Sequence, residues 1–248
     1  MTQTASHRSV IALTGPDRIK FLQGLVSNDV SKLDTDAVYA ALLTPQGKFM
    51  VDFFVIPEGD TILIDVCADE APALLKRLTM YKMRSNAALE MTDRTVSRGL
   101  GDASTGAYAD PRHAALGWRA YDGRPSEDVD WDAIRVAHCI PETGIELTPD
   151  TYLLEAGFER LNGVDFRKGC YVGQEITARM KHKTELRKGL ATVEIDGNAP
   201  VGTPLLTEDG KEAGTLFTQS GNHAIAHLRF DRARGLMTAG DAKVTWAG

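Results

Sequence analysis

Cysteine is scarce in this 248-residue chain: Cys67, Cys139 and Cys170 are the whole set. An odd, widely spaced trio argues against a disulfide framework and against a zinc site of the Cys-x-x-Cys kind. Aromatic residues are few, at 7%, and no apolar run approaches the ~20 residues that span a bilayer. Positive charge is short as well. The 28 Lys+Arg stand against 34 Asp+Glu, a net charge of −6 that disfavours a general nucleic-acid coat protein. The start, MTQTASHRSVIAL, lacks the basic segment, long apolar stretch and cleavage site of a signal peptide. The expectation is a reducing cytoplasm with no membrane contact. No phosphate-binding P-loop, Gly-x-Ser-x-Gly elbow or His-Glu-x-x-His helix occurs.

What is present is an ordinary globular composition, 43% hydrophobic and 25% charged, ample for a closed core. The length suits one large domain or two to three small ones. Charge is uneven: between Arg160 and Leu190 eight basic residues oppose three acids, so this stretch is +5 on a body of −11. A solvated helix face accounts for it on charge alone, and an anion site is the sharper alternative.

Periodicity sets out the elements. Ser9 to Leu13 reads as a strand, and Thr14 or Gly15 caps a helix with Pro16 in its first turn and Ile19, Leu22, Leu25 and Val26 on one face. Val38 to Leu43, Phe49 to Ile56 and Thr61 to Cys67 read as strands, with a turn at Thr44-Pro45-Gln46-Gly47-Lys48. Asp69 to Met83 has helical spacing. Two or three strands are expected between Ala87 and Trp118, then an acidic loop from Asp122 to Asp132 and a helix from Trp131 to His138. From Gly189 onward, short alternating runs with glycine turns predict a small β module, with Leu190, Val193, Leu216 and Leu228 pointing inward. The mixture is α+β.

The densest chemistry lies at Arg167-Lys168-Gly169-Cys170-Tyr171-Val172-Gly173-Gln174-Glu175. Two glycines bracket a cysteine and a tyrosine in a tight loop, and a helix is expected from Gln174 to about Lys183. Two cations and a helix start favour thiolate at Cys170, which makes it a candidate reactive group; a buried packing role is the alternative. Cys67 and Cys139, in apolar contexts, are expected to be buried and inert. Glu175 and Arg179 have the spacing of an intrahelical ion pair. Asp52 sits in a strand rich in Val and Phe, where a buried carboxylate would need a partner; an exposed strand face would also explain it.

The octapeptide Lys168-Gly-Cys-Tyr-Val-Gly-Gln-Glu175 resembles the signature of the YgfZ family of folate-binding proteins, relatives of the glycine-cleavage T-protein. Ala178-Arg-Met-Lys-His182, Phe21-Leu-Gln-Gly-Leu-Val-Ser-Asn-Asp29 and Leu43-Thr-Pro-Gln-Gly-Lys48 match as well. The resemblance implies an aminomethyltransferase-like three-part α+β fold. Its parts would be a folate-binding body over residues 1–185, including a ferredoxin-like subdomain at about 50–125, and a C-terminal β-barrel over 186–248. It implies tetrahydrofolate or a derivative as cofactor, with Asn28, Tyr39, Asp52, Arg84 and Glu155 as candidate binding residues. Asp52 and Cys170 are the candidate catalytic residues. Lys168, Gly169, Tyr171, Gly173, Gln174, Glu175 and Arg179 complete the signature loop and helix. No metal ligands are implied.

The T-protein and some YgfZ relatives carry Arg-x-Glu-Ala-Gly, whose Glu pairs with the pterin; the similar place here reads Arg135-Val-Ala-His-Cys139, with Ala137 where the Glu would be. The function implied is an accessory role in iron–sulfur cluster assembly or repair. Reduced folate and iron–sulfur client proteins are then the partners, with an indirect effect on tRNA modification. A folate-dependent one-carbon transferase or demethylase is the alternative, and a docking module for an acidic partner or tRNA is the third.

Overall fold

The computed structural model describes residues 7–31, 33–182 and 185–248. The chain forms two compact units. One comprises residues up to Val129 together with Glu159–Ile176, and the other Asp130–Phe158 with Thr177–Gly248.

In the first unit, β1 (Arg8–Thr14), β2 (Val38–Leu43), β3 (Phe49–Glu58), β4 (Thr61–Cys67) and β5 (Ala88–Met91) form an antiparallel sheet in the order β2-β3-β4-β1-β5. Because strand side chains alternate, Ala40, Leu42, Phe53, Val55, Ile64, Val66, Ile11 and Leu13 share one face. They pack with Phe21 and Leu22 of α1 (Arg18–Gln23) and Leu74 and Leu78 of α2 (Ala71–Lys82) in a single core. The opposite face carries Tyr39, Asp52, Phe54 and Asp65, and it is buried too. Asp52 is therefore not on a solvent face. A three-stranded sheet of β6 (Ser97–Gly99), β8 (Trp118–Ala120) and β7 (Ala107–Ala109), in that spatial order, supplies Arg119 to the same network.

Several boundaries differ from the sequence reading. Helix α1 starts at Arg18 with Asp17 as its cap residue, and Pro16 stays outside it. The Asp17 carboxylate accepts from the Asn86 N–H, so the tertiary contact, not an N-cap bond, holds that end. The helix stops at Gln23 because Gly24 follows, and Val26 bridges instead to Leu42 of β2. Strand β3 runs on to Glu58. Three short strands, β5, β6 and β7, lie between Ala87 and Trp118 as expected, and a fourth, β8, starts at Trp118 itself.

In the second unit, α3 (Trp131–Ala137) is capped by the Asp130 carboxylate, which accepts from Ala133 N–H at 2.9 Å. Helix α4 spans Gln174–Lys181, of which Gln174–Ile176 count with the first unit; Lys183, where its end was expected, lies outside the described residues. Strands β9 (Lys188–Asp196), β10 (Pro204–Thr207), β11 (Glu212–Ser220), β12 (His223–Arg229), β13 (Leu236–Ala239) and β14 (Ala242–Thr245) close a six-stranded barrel, β10-β11-β12-β9-β14-β13. Val193, Leu216 and Leu228 point into its core, as read from sequence. Leu190 does not. With Val193 and Ile195 inward, the period of two puts Ala191 toward the core and Leu190 outside, where its N–H donates to the Glu155 carbonyl.

Candidate functional site

The signature loop belongs to the first unit and is anchored by its own lysine. Lys168 is buried, and its ammonium donates to the backbone carbonyls of Gln23 at 2.9 Å, Val26 at 2.5 Å and Asn28 at 2.9 Å. Those carbonyls lie at and beyond the end of α1, where helical partners run out. Three donors meet three acceptors, which a lysine alone among side chains provides from one atom. The ammonium also lies 5.0 Å from the Tyr171 ring centroid. Burial pushes its pKa down to about 8, while the charges of Asp29 and Asp165 hold it up.

Glycines fasten the other end of the loop. Gly173 has φ +82°, and a Cβ there would stand 2.6 Å from the Thr44 carbonyl oxygen. Gly47, at φ +74°, would place a Cβ 2.7 Å from Ile176 Cβ. The Thr44–Lys48 turn and the loop thus touch glycine on glycine, which explains why both motifs need the residue. Gly169 meets nothing in this way. Held between these anchors, Cys170 is exposed, whereas Cys67 and Cys139 are half-buried. Neither of those two is sealed off as expected: Cys67 is the last residue of β4, and Cys139 sits in the turn after α3 at φ +51°. Gln174 begins α4; Glu175 and Arg179 are both exposed, and among the described residues no ion pair joins them. Each side chain is solvated.

The second cluster lies on the buried face of the sheet. The Tyr39 hydroxyl donates to Asp52 Oδ2 at 2.9 Å, so the partner that Asp52 needed is one strand away. Register explains the meeting: Tyr39 faces Phe54 and Ala41 faces Asp52, on the same side of the sheet. Burial, and then the Asp52 charge, push the Tyr39 phenol well above its ordinary value. Phe54 lies next to Asp65 in register and is surrounded by three guanidinium groups, with Arg119, Arg112 and Arg8 at 3.7, 4.8 and 5.5 Å from its ring centroid.

Asp65 accepts from Arg8 at 2.6 Å, Arg119 at 2.5 Å and the Tyr121 hydroxyl at 2.9 Å. Asp110 accepts from Arg112 in bidentate fashion, at 3.0 and 2.8 Å, and from Arg119 at 3.1 Å. Burial would raise both carboxylates; the arginines overcome it, leaving Asp65 below its ordinary value and Asp110 at about 2. With Asp52 the network has three aspartates and three arginines, a balance that a low-dielectric site requires. Sequence reasoning missed Arg8, Asp65, Asp110, Arg112 and Arg119. For Asp65 the signal was a charge inside an apolar strand, Thr61–Cys67, whereas Asp110 and Arg112 lie in the loop after β7 and gave none.

Other expected binding residues are placed differently. Asn28 donates both amide hydrogens to backbone carbonyls, of Tyr39 at 2.8 Å and Asn162 at 2.7 Å. Arg84 is exposed beyond α2, and the cation beside Tyr39 is Arg112, 5.5 Å from its ring. In the second unit, Glu155 is half-buried with its carboxylate 3.5 Å from His227 Nε2. Ala137 is exposed. Arg135 is buried and held by Glu146 at 2.5 Å, Asp132 at 2.7 Å and Glu142 at 3.3 Å. Among the described residues no group of three or more His, Cys, Asp or Glu is placed to hold a metal ion.

Residues 187–247 match the family model described as the CAF17 C-terminal beta-barrel domain. The chain is 32% identical to the mitochondrial iron–sulfur cluster assembly factor IBA57 homolog of Neurospora crassa, over 81% of this chain and 55% of that protein. It is 31% identical to the homolog of Mycosarcoma maydis, over 76% and 56%. The mouse mitochondrial factor IBA57 is 29% identical, over 92% of this chain and 77% of its own length. The chain thus spans little more than half the length of the two fungal relatives. Glycine cleavage system aminomethyltransferase T from Bartonella henselae shares the fold, with a TM-score of 0.76 at 14% identity, over 97% of this chain and 82% of that one. These findings correct the cytoplasmic expectation: the relatives are named mitochondrial, and scarce, unpaired cysteines indicate a reducing setting without specifying which.

Proposed function

The chain carries the C-terminal β-barrel domain of the CAF17 family on an aminomethyltransferase-like fold, and from that premise we propose that it is an iron–sulfur cluster assembly factor that binds a reduced folate. The observation that supports this best is the anchored loop, which presents Cys170 to solvent from a rigid base. A single thiolate supplies one soft ligand to an iron–sulfur cluster, and the remaining ligands must come from a client or partner protein. The cluster is cargo, handed on. Effects on iron–sulfur-dependent tRNA modification follow through client enzymes, without direct RNA contact.

The donor set on the sheet face fits the ring-nitrogen side of folate. Asp52 is an acceptor for a ring N–H, and the Tyr39 hydroxyl fixes the orientation of its carboxylate, while Arg112 is taken up by Asp110. When bound, a reduced folate supplies a ring nitrogen able to carry one carbon. The pterin's amino edge lacks its usual carboxylate at Ala137. Hydrogen bonds to a charged group contribute about 1.5–3 kcal/mol each, so a weak affinity follows from that loss. The accessory reading and the transferase alternative separate in two assays. Calorimetric titration with tetrahydrofolate should show binding that Asp52→Ala weakens, and turnover with methylamine donors should be absent. Binding unchanged in Asp52→Ala would remove the folate assignment, and sustained turnover would favour the transferase.

A further inference from the structure

Residues 71–89 hold four cations, Lys76, Arg77, Lys82 and Arg84, and no acid, so this stretch is +4 on a body of −10. It comprises α2 and the turn into β5, all within the first unit. Ala71, Leu74 and Leu78 are the buried side of α2. By the helical repeat, Lys76 and Met80 stand opposite them, with Arg77 and Tyr81 alongside. Among the described residues no ion pair engages any of the four cations, and Arg77 reaches the Tyr81 hydroxyl at 3.5 Å. The apolar side chains at this end of the helix are held out in solvent: Met80 is 58% exposed, Tyr81 39% and Met83 84%. Met83 closes the helix at φ +37°, ψ −97°, in the left-handed half of backbone space that glycine fills at helix ends without steric cost. A methionine there carries strain and gains no burial, so local stability does not account for it.

We propose that this outer face of α2 is a peripheral docking surface for an anionic lipid bilayer. Anionic headgroups meet the four cations, and Met80, Tyr81 and Met83 enter the apolar boundary beneath them. Lysine and arginine keep their charged ends at headgroup level while their stems lie lower. A bilayer takes in convex apolar knobs without a preformed hollow, which a protein partner would have to supply. Nucleic acid offers the phosphates but no place for methionines, since its apolar contacts are to flat rings. No described helix is long and apolar enough to cross a membrane, so the contact is at the surface. The inference rests on neither the folate nor the cluster reading.

The test is co-sedimentation of the full chain with vesicles of phosphatidylcholine alone, and of phosphatidylcholine and phosphatidylglycerol in equal parts, at low and high salt. The parent should bind the anionic vesicles, bind them less at high salt, and ignore the neutral ones. Each cation near an anionic surface is worth about fivefold in binding, so Lys76→Gln/Arg77→Gln should lose at least about tenfold. Lys211→Gln/Lys243→Gln on the barrel makes the same change in net charge and should keep the parent's affinity. Met80→Ser/Met83→Ser should also lose about tenfold, through the apolar contact. Met83→Gly should raise Tm by releasing the left-handed strain and still weaken binding; a merely structural methionine would not separate the two. The proposal is overturned if the parent leaves anionic vesicles unbound, if neutral vesicles bind as well, if the two charge variants lose equally, or if the methionine variants bind like the parent. It is also overturned if total tRNA or poly-glutamate binds through these cations while vesicles do not, which would make the partner a nucleic acid or an acidic protein.

Discussion

Replacing Lys168 with Met keeps the length of the side chain and removes the ammonium that satisfies the carbonyls of Gln23, Val26 and Asn28. Each bond to a charged donor contributes roughly 1.5–3 kcal/mol, so three set an upper range of roughly 4.5–9 kcal/mol. Burying the ammonium costs free energy that the variant regains, and removing one partner from a buried charged arrangement typically costs about 3–5 kcal/mol. The expected loss at pH 7 is therefore about 3 kcal/mol, or roughly 6–12 °C in the Tm of a unit this size.

The pH dependence gives a second, independent reading. Lys168 has a folded pKa lowered to about 8 from an ordinary 10.5. A lowered folded pKa contributes stability that is fully present above the unfolded value and is lost as pH falls through the folded one. The deficit of Lys168→Met should therefore widen from pH 8 toward pH 10.5. Urea unfolding of both proteins at pH 7 and pH 10 measures it. A variant within ~0.5 kcal/mol of the parent would refute the role assigned to this lysine, and a deficit that shrinks with rising pH would contradict its lowered pKa.

Gly173→Ala should destabilise by at least about 2 kcal/mol, since it combines left-handed strain with a Cβ placed 2.6 Å from the Thr44 oxygen; Gly169→Ala, with open space, should be close to neutral in the same denaturation assay. Asp110, held at about 2 against an ordinary 3.8, contributes about 2 kcal/mol above pH 4 that disappears as pH falls through 2. Acid unfolding followed by circular dichroism should show this loss, and Asp110→Asn should abolish that segment of the pH profile while lowering stability at neutral pH. Cys170 should be alkylated before Cys67 and Cys139 in the native protein, read by peptide mass spectrometry; equal rates for the three would contradict its exposure.

The elements with long, regular periodicity were legible. Thr61–Cys67 and Trp131 onward start where the pattern says, and the barrel's short alternating strands declare themselves through their glycine turns. The resemblance in the octapeptide led to the fold, and the glycine contacts now give that motif a physical reason. Lys168 was legible as a cation of the loop but not as an anchor, because its acceptors are backbone carbonyls about 140 residues away and backbone leaves no mark in composition. The Arg–Asp network stayed hidden for a related reason. Arg8, Asp65 and Arg119 are brought in by strands and Asp110 by the loop after β7, and each alone reads as a surface charge. Leu190 was misread because two inward residues three apart cannot share one face of a strand.

The most direct test of the assembly role is the cluster content and activity of an iron–sulfur enzyme in cells depleted of their own IBA57-type factor and supplied with this chain. The parent should restore both. Cys170→Ser, which keeps the loop and its Lys168 anchor, should restore neither, while remaining folded by circular dichroism. Failure of the parent in a compartment-matched host, or full rescue by Cys170→Ser, would contradict the claim that this loop exists to present a thiol to a cluster.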